Sequence, residues 1–263
     1  CRLALFATDS DLSKTYVPKA LAAGAQVIDS SSAYRLNPDV PLIVPPINMQ
    51  LLHPQHRLIA TANCVACPLA VVLKPLHDYV KVERVLASTY QSTSGAGKGA
   101  MDELYQQTQA IYASTAYPPK HFSRRIAFNV IPQIDQFAED GFSYEEIKIA
   151  KEVQKLISPQ LKIAATSVRV PVMIGHSISL ALEFAKKIEL EEVKTLLANS
   201  PGIQLSTQAY TTPLEAEGRD EVFVGRIRQD PTVANGLLLW LVSDNLRRGA
   251  ALDAAEIAEK ILA

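Results

Sequence analysis

The fold class is decided by the stretch Leu3-Ala-Leu-Phe-Ala-Thr-Asp-Ser-Asp-Leu-Ser-Lys-Thr-Tyr-Val-Pro-Lys-Ala-Leu-Ala-Ala-Gly-Ala-Gln-Val-Ile-Asp29. Residues 3–8 form an apolar run of strand length, and Asp11 offers an N-cap for a helix that ends near Gly24. A second strand is predicted over 26–29. This order is a βαβ unit, which predicts a parallel sheet with helices on its faces.

The rest of the chain continues the alternation of strands and helices. Residues 36–55 carry five prolines, which favour an ordered irregular loop. A strand is predicted over 57–61, and Pro68 predicts that the next helix begins at about Cys64. Ser143 and Glu146 form a capping-box pattern that opens a helix to about residue 156. Further strands are predicted at 84–90 and 177–184, and the last thirty residues contain an apolar run, either strand or helix, and an alanine-rich helix.

Composition excludes several classes of protein. The chain has 26 basic and 27 acidic side chains, a formal charge of −1, so it offers no basic surface for the phosphates of nucleic acid. The longest apolar run, Gly236-Leu-Leu-Leu-Trp-Leu-Val242, is far shorter than the ~20 residues of a membrane span, so we expect no membrane partner. Three cysteines do not make a disulfide framework, and the odd count indicates a reducing, cytoplasmic location.

Cys64 is the first candidate for covalent chemistry. It lies where a strand gives way to a helix, so the unpaired N–H groups and the dipole of that helix end would favour a thiolate. The thiolate is the nucleophilic form of cysteine. A cysteine in an apolar stretch also commonly packs as inert core, which is what we expect of Cys67 one helical turn further on.

His176 and Arg169 lie in one segment that could complete such a site. His176 follows the apolar residues 172–175, so it is either a candidate base or a satisfied core histidine. The guanidinium of Arg169 is costly to bury unless it meets an anion, which would be a substrate or a salt-bridge partner. Seven residues separate the two, so a regular strand would point them to opposite faces, but Pro171 and Gly175 can break that regularity.

Two further patterns are less specific. Ser94-Gly-Ala-Gly-Lys-Gly99 looks like a phosphate-binding loop but lacks the Walker spacing and the acidic residue ~20 positions on that a dinucleotide fingerprint requires. Glu145 and Lys148 share a helix face, and alone they indicate a solvated ion pair. No second Cys/His pair stands at ligand spacing, so no metal site is expected.

Six segments together carry a resemblance to a known family. They are Ile28-Asp-Ser-Ser-Ser-Ala-Tyr-Arg-Leu-Asn-Pro-Asp-Val-Pro41, Ala62-Asn-Cys64, Ser88-Thr-Tyr-Gln-Ser-Thr-Ser-Gly-Ala-Gly97, Ile126-Ala-Phe-Asn-Val-Ile-Pro132, Arg169-Val-Pro-Val-Met-Ile-Gly-His-Ser177 and Thr212-Pro-Leu-Glu-Ala-Glu-Gly-Arg-Asp-Glu-Val-Phe-Val-Gly-Arg-Ile-Arg228. They are long, collinear and spread over essentially the whole chain. The chain resembles aspartate-semialdehyde dehydrogenase of the bacterial type.

The resemblance implies an NADP-dependent interconversion of aspartyl-4-phosphate and aspartate semialdehyde in the biosynthesis of lysine, threonine and methionine. It implies that Cys64 is the nucleophile, forming a thiohemiacetal and then an acyl-thioester that phosphate attacks. Gln91 would bind the substrate and orient this intermediate, and His176 would be the acid/base. Arg169 and Glu145 would hold the carboxylate and the amino group of the substrate, with Arg169 making the bidentate pairing suited to a carboxylate.

The same resemblance assigns a phosphate site and a cofactor site. The phosphate would be bound by basic and amide side chains, those of Arg35, Asn63 and Lys148. The nicotinamide end of NADP would be contacted by Ser94, Gly95 and Asn245.

The implied fold is α/β, with a partial Rossmann-type nucleotide-binding domain joined to an α+β catalytic and dimerisation domain. We place the first domain at 1–63, completed by a C-terminal helix at 233–263, and the second at 64–232. A homodimer is expected, with a tetramer as the alternative. The chain starts at Cys1 without a methionine, and Arg2-Leu-Ala-Leu-Phe6 already has the pattern of a strand. We therefore expect the first strand and phosphate loop of the family to precede it in a longer protein.

Three alternatives stay open. N-acetyl-glutamyl-phosphate reductase performs the same acyl-phosphate chemistry on a related fold, although the chain resembles it less at Cys64 and over 169–176. A non-catalytic paralogue would act as a binding or structural subunit, and the joint presence of Cys64, Gln91, Arg169 and His176 disfavours it. The third alternative is a fragment that folds and dimerises without turnover.

Overall fold

The computed structural model describes all residues, 1–263, and divides the strands between two sheets. The smaller sheet is entirely parallel, in the order β1-β2-β4-β3. Its strands are β1 (Leu3–Phe6), β2 (Gln26–Asp29), β3 (Leu42–Ile43) and β4 (Leu58–Thr61). The βαβ prediction is confirmed, because helix α1 (Ser10–Ala22) connects the neighbouring parallel strands β1 and β2.

The N-cap of α1 is Asp9, whereas the sequence pattern predicts Asp11. Oδ1 of Asp9 accepts hydrogen bonds from the backbone N–H groups of Asp11 and Leu12 at 3.1 and 2.8 Å. The helix therefore begins two residues earlier, and a carboxylate lies at its N-terminus.

The proline-rich segment 36–55 is more regular than predicted. It contains β3, a short helix α2 (Pro45–Asn48) and a turn of 3₁₀-helix at Met49–Leu51. Pro45 and Pro46 stand in the first turn of α2, where a missing N–H costs least. The side chain of Asn48 closes the segment by accepting from Val44 N at 2.7 Å and donating to the carbonyl of Leu42 at 2.9 Å.

The larger sheet has six strands in the order β6-β5-β7-β10-β9-β8. Its inner pairs are antiparallel, and the two outer pairs, β5/β6 and β8/β9, are parallel. The strands are β5 (Val82–Gln91), β6 (Lys162–Arg169), β7 (His176–Phe184), β8 (Ile203–Leu205), β9 (Val222–Asp230) and β10 (Gly236–Ser243). In register, Gln91 pairs with Arg169 and Ser243 pairs with His176, so these residues lie at one end of the sheet.

Helices cover one face of the larger sheet. The main core lies between that face and three helices, with Leu73, Ile149 and Leu180 among its fully buried side chains. These helices are α3 (Ala66–Tyr79), α5 (Tyr144–Leu156) and α6 (Leu190–Ala198). The capping box predicted at the start of α5 is confirmed, because Ser143 N donates to Glu146 Oε2 at 2.8 Å and Glu146 N donates to Ser143 Oγ at 3.3 Å.

Two further helices lie outside this layer: α4 (Lys98–Tyr112), which packs against residues 126–131, and α7 (Pro213–Ala216) beside β10. The C-terminal helix α8 (Leu252–Leu262) packs on the smaller sheet, where Ile257 contacts the cluster of Ile28, Ile43 and Ile59. The apolar run at 236–242 is strand β10 of the larger sheet, so only the part of 233–263 from Leu252 onward is the C-terminal helix, and the domain boundaries stay a prediction. None of the helices is both long enough and apolar enough to cross a membrane.

Candidate active site

Cys64 lies between β4 and α3, as predicted, and is half-buried. The start of α3 is not free to bind an anion, because Oδ1 of Asn63 accepts from the N–H groups of Val65 and Ala66 at 2.8 and 3.3 Å. The N–H of Cys67 in turn donates to the carbonyl of Asn63 at 2.9 Å. The amide groups expected to favour a thiolate are therefore already bonded to Asn63.

The thiol of Cys64 is correspondingly not activated in this structure. Burial, together with the negative charge of Glu145, raises the pKa of Cys64 to about 12. The cations Arg35 and Arg169 act in the opposite direction but do not outweigh burial. The prediction of a thiolate favoured by the helix end is wrong for the protein without substrate, where Cys64 is a neutral thiol.

Arg169 and His176 come together although seven residues separate them. Arg169 ends β6, His176 begins β7, and both are buried. A side-chain carbon on Gly95 would lie 2.9 Å from Nη1 of Arg169 and 3.1 Å from Nε2 of His176. Nη1 of Arg169 donates to the carbonyl of Ser92 at 2.6 Å. The side chains of Arg169 and His176 therefore lie next to each other beside the 3₁₀ turn Thr93–Ala96. Because Gly95 has no side chain, the turn can pack closely against Nη1 and Nε2.

The protonation of His176 follows from its neighbours. The backbone N–H of Ser92 donates to Nδ1 at 3.0 Å, so Nδ1 is an acceptor and the imidazole proton lies on Nε2. Burial, together with the charge of Arg169, lowers the pKa of His176 to about 3. Nε2 is buried and has no hydrogen-bond partner within the chain. In this arrangement His176 is neutral and presents Nε2–H as a hydrogen-bond donor, and its acid/base role stays a prediction.

Glu145 connects the other predicted substrate residues. Its Oε1 accepts from Asn63 Nδ2 at 3.1 Å and from Gln91 Nε2 at 3.3 Å, and its Oε2 lies 3.4 Å from Nζ of Lys148. Gln91 is fixed from its other end, because Thr89 Oγ1 donates to its Oε1 at 2.9 Å. The pair Glu145–Lys148 is therefore part of a buried network and not a solvated ion pair.

Lys148 has a second anionic partner that sequence reasoning missed. Its Nζ lies 2.9 Å from Oδ2 of Asp135, whose backbone has a left-handed φ of +70°. Burial opposes the charge of Lys148, but the carboxylates of Glu145 and Asp135 outweigh it and raise its pKa. Lys148 is therefore a fully charged cation at neutral pH.

Arg35 is held by a carboxylate that was also missed. Its Nη1 donates to Oε1 of Glu152 at 3.1 Å and its Nη2 donates to the carbonyl of Ser30 at 2.6 Å, while its buried Nε has no partner. Oε2 of Glu152 accepts from the backbone N–H of Asn63 at 2.7 Å. Glu152 is seven residues after Glu145 in α5, and this spacing on one helix face was the signal available in the sequence.

Asn245 organises the predicted nicotinamide side of the site. Its Oδ1 accepts from Gly175 N at 2.9 Å, from Ser94 Oγ at 3.0 Å and from Ser92 Oγ at 3.1 Å. Gly175 N–H can only donate, so the atom that it faces is the amide oxygen. The Nδ2 group then remains without a partner in the chain, and it fits the carboxamide oxygen of a nicotinamide.

The first βα turn of the smaller sheet does not fit the cofactor's pyrophosphate. In dinucleotide-binding folds this group sits on the N–H groups of a helix N-terminus. At α1 those groups are bonded to the carboxylate of Asp9, which would repel a phosphate. The residues of this chain thus fit the nicotinamide end of the cofactor, and the turn before α1 does not fit its pyrophosphate.

Comparison with known proteins identifies the family. The model for the NAD binding domain of semialdehyde dehydrogenase matches residues 1–54, and the model for the dimerisation domain matches residues 73–248. The chain is 46% identical to the aspartate-semialdehyde dehydrogenase of Rickettsia bellii, a match that covers 99% of this chain and 79% of the relative. The chain belongs to the aspartate-semialdehyde dehydrogenase family.

Other aspartate-semialdehyde dehydrogenases agree with this assignment. The Bacillus subtilis enzyme is 42% identical, with 98% of this chain and 79% of the relative covered. The crystal structure of aspartate semialdehyde dehydrogenase II from Vibrio cholerae matches with a TM-score of 0.95 and 40% identity, over 99% of this chain and 79% of that one. The predicted family, the α/β fold with a Rossmann-type sheet and the prediction of an oxidoreductase with a nicotinamide-binding domain are confirmed.

Proposed function

We propose that this protein catalyses the NADP-dependent interconversion of aspartyl-4-phosphate and aspartate semialdehyde through an acyl-thioester on Cys64. The reaction would serve the synthesis of lysine, threonine and methionine. The observation that carries the proposal is the placement of Cys64 near two opposite charges. Glu145 raises the pKa of its thiol and Arg169 lowers it. An amino acid presents a carboxylate and an ammonium group, which match a buried guanidinium and a buried carboxylate.

The same charges explain how the thiol becomes a nucleophile. The ammonium group of the substrate would pair with Glu145 and cancel a charge that raises the pKa of Cys64. The sulfur would then attack the acyl carbon and form the C–S bond while the C–O bond to phosphate breaks, and the thiol proton would leave on the hydrogen phosphate. Arg35, Asn63 and Lys148 would hold the leaving phosphate, and the unpaired Nε of Arg35 is a donor for it. N-acetylation would remove the ammonium charge, so Glu145 favours a free amine over an acetylated one.

His176 would act on the oxygen of the acyl group. In the reductive direction, the oxyanion formed as the thioester is reduced would accept a hydrogen bond from Nε2 of His176, which keeps its proton. The C–S bond of this thiohemiacetal anion would then break to give the aldehyde and the thiolate of Cys64, which takes up a proton from solvent, while Gln91 orients the intermediate. Bound NADPH would supply the hydride. Ser92 fixes His176 in the donor tautomer that this direction needs.

Ser94, Gly95 and Asn245 would contact the nicotinamide ring, with Asn245 Nδ2 donating to its carboxamide. The family model for a NAD binding domain supports a nicotinamide cofactor, and the choice of NADP rests on the sequence resemblance. The related Vibrio cholerae enzyme was solved in complex with ASA, which supports a substrate of this class.

We propose that the active form is a homodimer assembled on the face of the larger sheet opposite to α3, α5 and α6, where only the short helix α7 packs, at one end of β10. Leu86, Ala181 and Leu238 form one cross-strand row on this face, and Ser88, Ser179 and Trp240 form the next. The rings of Tyr90 and Trp240 pack with their centroids 5.5 Å apart. An apolar sheet face open to water is expected to pair with a partner, and the matching family model is that of a dimerisation domain.

The test is an assay of the full chain with aspartate semialdehyde, phosphate and either NADP or NAD, beside a Cys64→Ser variant. We expect phosphate-dependent reduction of NADP by the wild type, none by C64S, and weaker use of NAD. Preference for N-acetyl-glutamate semialdehyde would assign the other acyl-phosphate reductase. Equal rates for the wild type and C64S would refute the thioester mechanism.

A further inference from the structure

The turn between β10 and α8 packs directly against the backbone of Cys64. Gly249 lies in this turn with φ of +89°, and a side-chain carbon on it would lie 2.7 Å from Cα and 3.4 Å from the carbonyl carbon of Cys64. Both the left-handed backbone and the close approach require glycine here. The position of the Gly249 backbone therefore limits the position of the nucleophile.

A buried carboxylate ties this turn to helix α3. Oδ2 of Asp253 accepts from the N–H of Gly249 at 3.0 Å and from the thiol of Cys67 at 3.1 Å. Cys67 lies in the first turn of α3, one helical turn after Cys64. Oδ2 of Asp253 thus connects Gly249, which packs against the backbone of Cys64, to helix α3 through Cys67.

The negative charge of Asp253 is balanced by the guanidinium of Arg248. Nη1 of Arg248 donates to Oδ1 of Asp253 at 2.6 Å, and the same guanidinium binds the carboxylate of Glu256 at 2.8 and 3.2 Å. Its Nε donates to the carbonyl of Asp220 at 3.1 Å. Asp253 and Arg248 are both buried, and such a fully bonded network holds a single geometry.

The same segment also reaches the His176 side of the site. Asn245, four residues before Gly249, binds Gly175 and the hydroxyls of Ser92 and Ser94. The segment 245–253 therefore contacts the backbone of Cys64 through Gly249 and the loops around His176 through Asn245.

We propose that Gly249 and Asp253 are positioning residues, which fix the backbone of Cys64 relative to the loops that carry His176 and Asn245. They touch no reacting atom, and they act through the position of the thiol. The inference rests on the proposed role of Cys64 as the nucleophile. A displacement of a reacting group by ~1 Å can lower the rate by roughly 100-fold.

The first test compares Gly249→Ala with Gly24→Ala. Gly24 has φ of +90°, but a side-chain carbon there meets nothing within 4 Å, so both variants strain the backbone and only G249A displaces Cys64. We expect kcat of G249A to fall about 100-fold with KM within a factor of two. The rate of Cys64 alkylation by iodoacetamide should also change in G249A and stay at the wild-type value in G24A.

The second test uses Asp253→Asn and Cys67→Ser. Asparagine cannot accept at both oxygen positions, so D253N should lower kcat and change Cys64 alkylation, whereas C67S keeps a donor to Asp253 and should retain both. Wild-type kcat and alkylation rates in G249A and D253N, with only the melting temperature lowered, would overturn the proposal. If the wild type does not oxidise aspartate semialdehyde, the proposed function fails, and the alkylation rates still decide whether these residues position Cys64. If D253N does not fold, G249A against G24A decides alone.

Discussion

The backbone N–H of Ser92 donates to Nδ1 of His176 over 3.0 Å, and this single contact sets the role of the imidazole. It places the proton on Nε2, the atom that faces the space beside Gly95 and Arg169. A main-chain donor cannot rotate away, so the tautomer is a property of the fold. Nε2 of His176 is therefore poised to donate a hydrogen bond to a substrate oxygen.

Substitution of His176 should remove part of the acid sensitivity of the fold. The pKa of the folded histidine is lowered to about 3, whereas an unfolded histidine titrates near 6.5, so between these values only the unfolded chain takes up the proton. Stability is therefore lost as pH falls below 6.5, by about 2 kcal/mol between pH 7 and pH 5. We expect the free energy of unfolding of H176Q to fall less over this range than that of the wild type, by about this amount, in urea titrations at both pH values.

The matched control for this measurement is His53→Gln, at an exposed site of the proline-rich loop. It should show the same pH dependence as the wild type. An unchanged pH dependence in H176Q would mean that His176 is already charged in the folded protein at pH 5.

Glu145→Gln separates the two roles of this carboxylate. Because Glu145 raises the pKa of Cys64, its neutralisation should speed the alkylation of Cys64 by iodoacetamide at pH 8. The loss of a charged partner for the ammonium group should at the same time raise KM for aspartate semialdehyde about 10- to 100-fold. Glu146→Gln, on the same turn but bonded to Ser143 and Ser167, is the control and should do neither. Slower alkylation in E145Q would contradict the electrostatic account.

Arg169→Lys should weaken substrate binding although the charge is kept. A lysine cannot make the two parallel hydrogen bonds that a guanidinium gives to a carboxylate. We expect kcat/KM for aspartate semialdehyde to fall by roughly 10- to 100-fold in steady-state assays. Arg57→Lys is the control, because Arg57 binds only the carbonyls of Leu21 and Ala25. A wild-type kcat/KM in R169K would exclude a bidentate role.

Leu86→Glu should disrupt the proposed homodimer. Leu86 lies on the open face of the larger sheet with 39% of its surface exposed, so a charge there costs the monomer little and would be buried in the dimer. Sedimentation velocity should show a dimer for the wild type and a monomer for L86E. Leu51→Glu is the control. Leu51 is exposed in the 3₁₀ turn between β3 and β4, away from the larger sheet, so L51E should remain dimeric. A dimeric L86E would place the interface elsewhere.

The order of elements could be predicted from the sequence where local signals were strong. The βαβ unit, the capping box at Ser143 and the helix that ends at Leu156 follow from periodicity and side-chain capping. The run at 236–243 could not be assigned, because a continuous apolar segment suits a buried strand or a buried helix equally well. Its pairing with β7 and β9 is a long-range property.

The chemistry of the site was harder to predict than its members. The residue types at Cys64, Glu145 and Arg169 were visible in the sequence, but their ionisation depends on partners far away in the chain. Asn63 blocks the helix end beside Cys64, and Ser92 sets the tautomer of His176. The contact of Ser92 with His176 spans 84 residues and leaves no trace in local sequence patterns, whereas an asparagine before a helix is a local capping signal that the prediction for Cys64 did not use.

The most direct test of the account is covalent trapping of the acyl-enzyme. The full chain would be mixed with aspartate semialdehyde and NADP without phosphate, quenched in acid, and digested for mass spectrometry beside the C64S variant. The account predicts an aspartyl adduct on the peptide that contains Cys64, lost when phosphate is added and absent from C64S. An adduct on Cys67, or turnover of the wild type and C64S without any adduct, would contradict it.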